Sequence, residues 1–203
     1  MAALVAERGY PAVTVADVVA RARVSKRTFY EQFAEREDCL LATYVALAEE
    51  PLQRIAAAAA DPEVQELALT DQVGRAVSAY LAAMAERPAL TQALLTEIAS
   101  TGERGRAVRR AVLHRFADQL VALAEEGRAR HPGVAPLPRM LALGLVGGIN
   151  ELVLDAVEGS GGSTGWAGSG GSGNPGAGPP PEHLAELTGT VTDLVVAVLL
   201  RPV

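Results

Sequence analysis

A short run, Ser25-Lys-Arg-Thr-Phe-Tyr-Glu-Gln32, concentrates the side chains best suited to touching nucleic acid. Wound as a helix, it puts Phe29 and Phe33 four residues apart on one face and leaves Lys26, Arg27, Thr28, Tyr30 and Glu31 outward. Arg27 can make a bidentate contact to a guanine edge, and Thr28 can reach a base edge or a thymine methyl. Lys26 and Tyr30 can hold phosphates, and Gln32 completes the expected contact set. Thr14 and Ser25 each precede a short helical pattern, where free amides and the helix dipole favour a phosphate. The same charged face also suits a solvated helical hairpin that binds nothing.

Those side chains need a small core and two turns to position them. Thr14 and Asp17 form a T-x-x-D start, in which the hydroxyl accepts an orphan amide of the first turn, and Ser25 repeats that role for the next helix. Arg23-Val24 makes the turn between them. Val15, Val18, Val19, Ala22, Val24, Phe29 and Phe33 are the expected three-helix core. Before this unit a helix runs to about Arg8 and stops at Gly9. After it, helical spacing and breakers predict helices from Arg36 to about Ala60, Val64 to Glu86, Ala89 to Ala99, Glu103 to Arg130, Pro136 or Pro138 to Glu158, and Glu182 to Arg201. Pro51 is expected to kink or split the first of these. Gly159 to Pro181 is Gly, Ser and Pro around a lone Trp166, and is expected to be a flexible loop.

Composition narrows the class. Apolar residues make up 49% of the chain while aromatics make up 4%, and the Ala-rich pattern favours an all-α protein. The net charge of −6 is unevenly placed: residues 1–36 carry +2 and the remainder −8. A basic head on an acidic body suits a DNA reader whose larger part does something else. Cys39 is the single cysteine, which excludes an intrachain disulfide; it is read as a small buried apolar residue. His114, His131 and His183 are far apart and lack ligand spacing, so neither a metal nor another cofactor is expected. No nucleophile–base pair, phosphate loop or telling carboxylate pair points to an enzyme. No signal peptide is apparent, and Met140 to Val157, the most apolar stretch, is interrupted by Asn150, Glu151 and Asp155. A cytoplasmic protein without a membrane partner is expected.

The stretch from Glu7 to Leu41 resembles the N-terminal domain of the TetR (tetracycline repressor) family of regulators. The resemblance includes A-E-R-G-Y at Ala6 to Tyr10, the Thr14 start, V-S-K-R-T-F-Y-x-x-F at Val24 to Phe33, and E-R-E-D-C-L at Glu35 to Leu40. It implies that Phe29 and Tyr30 sit in the recognition helix and that Arg36, opening the next helix, touches phosphate. It also implies a first helix longer than the truncated one here, and a turn at Arg23 where glycine is usual. A non-glycine residue at positive φ there would cost on the order of 1 kcal/mol.

The implied organisation is a helix-turn-helix DNA-binding domain at residues 1–44 and a helical effector-binding and dimerisation domain at 45–203. The last two long helices are expected to pair with those of a second copy, helped by Gly144, Gly147 and Gly148. Candidate effector-pocket residues are Met84, Thr91, Thr96, Glu97, His114 and Asn150. The expected function is a homodimeric repressor released from a palindromic operator by a small-molecule effector. The alternative is a dimeric helical protein that binds a small molecule or a protein, with weakened or lost DNA binding.

Overall fold

The computed structural model describes residues 1–158 and 180–202. Residues 159–179, which hold Trp166 and most of the expected flexible loop, lie outside the described residues. Within them the chain is all-α, as its composition suggests.

Helices α1 (Ala2–Arg8), α2 (Val15–Ala22) and α3 (Lys26–Gln32) form the N-terminal head, with a 3-10 turn at Tyr10–Ala12 after α1. Helix α4 (Arg36–Ala60) leaves the head and continues into the body without interruption, so the expected boundary at residue 44 falls inside one helix. Pro51 does not split it. Its ring is buried in the core, and its missing N–H leaves one gap in the helical ladder. The body continues with α5 (Pro62–Gln65), α6 (Leu69–Ala85), α7 (Pro88–Ser100), α8 (Gly102–Arg130), α9 (Arg139–Glu158) and α10 (Pro181–Leu199).

The helix expected from Val64 to Glu86 is in fact two, separated at Glu66–Ala68. No glycine or proline marks that break. The Gln72 side chain holds it instead, its Nε2 donating to the carbonyls of Gln65 (3.1 Å) and Leu67 (2.9 Å).

Two apolar clusters organise the packing. One joins Leu4, Val5, Val13, Val18, Val19 and Phe29 of the head to Leu40 and Tyr44 of α4, Leu90, Leu94 and Ile98 of α7, and Val112 of α8. The other holds Val77 and Leu81 of α6 against Ala117 of α8, Val153 of α9 and Val191 of α10. Phe116 packs against both. The head is therefore seated on the body through shared core, not tethered to it. Where α7 meets α8 the backbones come close: a Cβ on Gly105 would collide with the Ile98 carbonyl oxygen.

Helix α9 includes one segment among the described residues, Arg139–Val157, that is long and apolar enough to cross a membrane. Here it packs on α7, α8 and α10, with Ala142 and Val153 fully buried.

Candidate nucleic-acid interface

The two short helices of the head are built by their caps. Thr14 Oγ1 accepts the Asp17 amide at 3.2 Å, while Asp17 Oδ2 accepts the Thr14 amide at 2.8 Å and its hydroxyl at 2.6 Å. This reciprocal box fixes the first turn of α2. It also holds the Asp17 carboxyl down at about 2, chiefly through the Thr14 hydroxyl and amide and then Arg8, which sits 2.9 Å away. Ser25 Oγ caps α3 by accepting the Thr28 amide at 3.0 Å. Between them Arg23 takes φ 56° and ψ 40°, the left-handed conformation expected at the turn. It ends α2, and the chain reverses at Val24, whose amide returns to the Val19 carbonyl at 3.0 Å.

Phe29 anchors α3 from beneath at 4% exposure, with Tyr30 and Phe33 ring centroids each 5.4 Å from its own. Val18 and Val19 are buried, and Val15 and Phe33 pack at the edge. Val24 and Ala22 depart from the expected core. The left-handed turn swings Val24 outward to 42% exposure, and Ala22 at the end of α2 is also exposed. Val13, fully buried just before α2, and Leu40 from α4 fill the space instead.

Thr14, Ser25, Lys26, Arg27, Thr28, Tyr30 and Gln32 are all exposed. Several cations of the head are already engaged: Arg21 forks onto Glu7 at 2.7 to 2.9 Å, Arg8 reaches Asp17, and Arg27 Nε donates to Glu31 at 3.0 Å. Arg27 nonetheless keeps 88% of its side chain in solvent, so an exposed i, i+4 pair worth a few tenths of a kcal/mol is easily exchanged. Lys26 and Arg23 have no carboxylate within ion-pair reach among the described residues.

Arg36, which the resemblance implies touches phosphate, is tied within the head. It is half-buried, its Nη1 donates to the carbonyls of Tyr10 (3.3 Å) and Val13, and its guanidinium lies 4.2 Å from the centre of the Tyr10 ring. It braces the segment leading into Thr14. Tyr10 is held from the other side by the body, since its amide donates to Glu97 Oε2 of α7 at 2.7 Å. A second tie runs from Arg104 at the start of α8 to Glu35 (2.5 Å) and Asp38 at the start of α4. Glu97 is thus a strut between body and head.

Two cavities lie in the body among the described residues. The distal one, about 150 Å³, lies among α4, α6, α8, α9 and α10 and is lined by apolar groups such as Ile55, Val73, Leu120 and Val195, with Gln72, Gln119 and Arg130. The head-proximal one, about 80 Å³, is lined by Tyr44, Leu90, Leu94 and Val112, and takes in Met84, Thr91 and Asn150 from the expected pocket set. Thr96, Glu97 and His114 line neither. Thr96 is exposed and bonds its own helix, and the half-buried His114 has its Nδ1 buried without a partner. Tyr80 and Phe116, edge to face at 5.9 Å, wall one cavity from the other. Tyr80 also donates to Asn150 Oδ1 at 3.0 Å, and burial raises its phenol well above the ordinary range. These lining residues come from helices far apart in sequence, and only the mix of soft and polar residues on apolar helices pointed to any of them.

Among the described residues, nothing covers the outer face of α9 and α10. Met140 is 80% exposed, and Leu141 and Leu194 are also exposed. A Cβ on Gly144, Gly147, Gly148 or Gly189 would meet nothing within 4 Å.

Residues 2–43 match the family model of the bacterial regulatory proteins of the tetR family. Along almost its full length the chain also superposes on solved TetR-family structures. A TetR-family protein of Syntrophomonas wolfei is 14% identical, with TM-score 0.68, over 99% of this chain and 93% of its own. A tetR-family regulatory protein of Rhodococcus RHA1 is 18% identical, with TM-score 0.62, over 98% and 92%. A TetR-family transcriptional regulator of Pectobacterium atrosepticum is 21% identical, with TM-score 0.61, over 100% and 91%. No curated protein matches the sequence.

Proposed function

We propose that this chain, whose residues 2–43 match the tetR family model and whose whole length has the fold of solved tetR-family structures, is a homodimeric transcriptional repressor. It reads a palindromic operator through α3 and is released when a small molecule enters the body. The observation that carries this is the exposed face of Lys26, Arg27, Thr28, Tyr30 and Gln32 on a helix fixed by the Ser25 cap and the Phe29 anchor. Arg27 and Thr28 read base edges, while Lys26, Tyr30 and the N-terminal amides of α2 and α3 hold phosphates. Arg36 acts by bracing the entry to α2.

The bare face of α9 and α10 supports the dimer, because small residues there let two copies approach closely. Two-fold symmetry then sets two reading heads on two half-sites. Effector release is supported by a continuous line of packing. The distal cavity touches α4, which runs on into the head. The Tyr80–Phe116 wall leads to the proximal cavity, whose Leu90 and Leu94 share α7 with the Glu97 strut. A ligand that shifts α4 or α7 would alter the spacing of the two heads and lower operator affinity by linkage. Such a protein works in the cytoplasm, without a catalytic step.

The test is a titration of duplex DNA at increasing salt, with the mass of the complex measured alongside. Two protomers per duplex and a log–log salt slope steeper than that of Lys26→Ala are expected. Binding that ignores sequence at low salt would sink the proposal. It would favour the dimeric binding protein with lost DNA reading, for which the carboxylate pairing of Arg8, Arg21 and Arg27 is the supporting observation.

A further inference from the structure

We infer that the distal cavity takes a compact amphipathic anion, a benzene-sized apolar group tethered to one carboxylate or similar anionic head that seats at Arg130. This rests on the reading of that cavity as the effector site and adds the chemistry of what enters it.

Size sets the first limit. The cavity is about 150 Å³, and an apolar cavity of roughly that volume stays dry and accepts a benzene-sized guest. A longer ligand must first push the Tyr80–Phe116 pair toward the smaller proximal cavity.

Polarity sets the second. The walls are almost wholly apolar, and the few polar groups along them already have partners. Gln72 Nε2 donates to two backbone carbonyls, Gln119 Nε2 donates to the Leu52 carbonyl at 2.9 Å, and the Tyr80 hydroxyl donates to Asn150. A polar ligand body would lose its hydration there without replacement.

Charge sets the third. Arg130 is the one ionisable cation lining the cavity, at the end of α8, exposed and without a carboxylate in ion-pair reach among the described residues. Arg128, two residues earlier on the same helix, is paired with Glu125, and no other arginine or lysine lines the cavity among the described residues. A full positive charge outweighs the partial negative charge of the helix end. An anionic head therefore gains a forked partner at the mouth while its apolar body stays inside. A cationic head meets repulsion at the same place.

Calorimetric titration of the full chain with phenylpropanoate, phenylpropanol and phenylpropylammonium tests this, because the three share one skeleton and differ only in the head. At low salt the anion should bind about tenfold tighter than the alcohol, and the ammonium weakest. In Arg130→Gln the anion should fall to the level of the alcohol, with the alcohol unchanged. In Ala76→Leu, which fills the cavity, both should weaken, with circular dichroism confirming the fold. Equal binding of anion and alcohol, an anion preference that survives Arg130→Gln, or no binding of any of the three overturns the inference. If the anion binds as expected yet leaves DNA affinity unchanged, the effector role fails and the ligand chemistry stands. If a neutral ligand alone releases DNA, the reverse holds.

Discussion

In the head, the side chains proposed to meet DNA lie between Thr14 and Gln32, and Thr14, Ser25, Arg27, Thr28 and Tyr30 are each held by a bond or ring contact within four residues. In the body, the distal cavity gathers Ile55, Tyr80, Phe116, Ile149 and Val195 from five helices, and nothing local holds any of them in place. The head is thus a device of caps and turns, set by short-range chemistry. The body is a packing device whose empty space exists only once α4, α6, α8, α9 and α10 have assembled. The two are joined by the apolar core that Leu90, Leu94, Ile98 and Val112 share with the head, with Glu97 and Arg104 adding polar ties. The difference teaches that the reading surface can be lost or kept independently of the cavity, provided those joints stay intact.

The strongest way to break that separation is to empty one core and watch the other. Phe29→Ala should cost about 3 to 5 kcal/mol and Leu81→Ala about 2 to 5 kcal/mol, read by denaturant unfolding. Amide exchange should then show α2 and α3 opening first in Phe29→Ala while α9 and α10 stay protected. If both variants open the whole chain at once, head and body form a single cooperative unit and the separation fails.

Next in size is Arg27→Ala. It should weaken specific DNA binding by about 1 to 3 kcal/mol and change stability by less than about 0.5 kcal/mol. A comparable loss of stability would move Arg27 from the reading surface into the structure.

Thr14→Ala should cost about 1 kcal/mol, and proton titration should sharpen it. Asp17 is held at about 2 against an ordinary value of 3.8. Its contribution is therefore present above the ordinary value and lost as pH falls through about 2. Nuclear magnetic resonance titration of Thr14→Ala should find the carboxyl shifted up toward 3.8, with Arg8 retaining part of the depression. An unmoved value would show that Arg8 alone sets it.

The smallest expected effect is a gain. Arg23→Gly should relieve the left-handed strain and raise stability by up to about 1 kcal/mol, seen as a higher melting temperature. A lower one would mean that the arginine side chain contributes more than its backbone costs.

Most of the head was legible because its determinants are local. A T-x-x-D box, a serine before a helix, and two phenylalanines at i and i+4 fix where α2 and α3 begin and which face of α3 turns inward. Val24 and Ala22 escaped because the hydrophobic pattern cannot show that a left-handed Arg23 turns the following residue outward. The ties of Arg36 were not legible because its partners, the Tyr10 ring and two backbone carbonyls, come from 23 and 26 residues earlier. In the body, helix positions followed from proline and glycine, but the break at Glu66–Ala68 depends on the Gln72 side chain reaching back to two carbonyls. Met84, Thr91 and Asn150 reach a cavity, whereas Glu97 turns to Tyr10 instead. Which face of an alanine-rich helix looks into a void is settled by its neighbours, not by its own residues.

Selection of bound sites from a random duplex library, run with the intact chain and with Arg27→Ala, tests the reading head most directly. The intact chain should enrich a two-fold symmetric site with two half-sites, and Arg27→Ala should lose preference at one base pair in each half. Failure to enrich any site at low salt, or an identical site from both proteins, would contradict it.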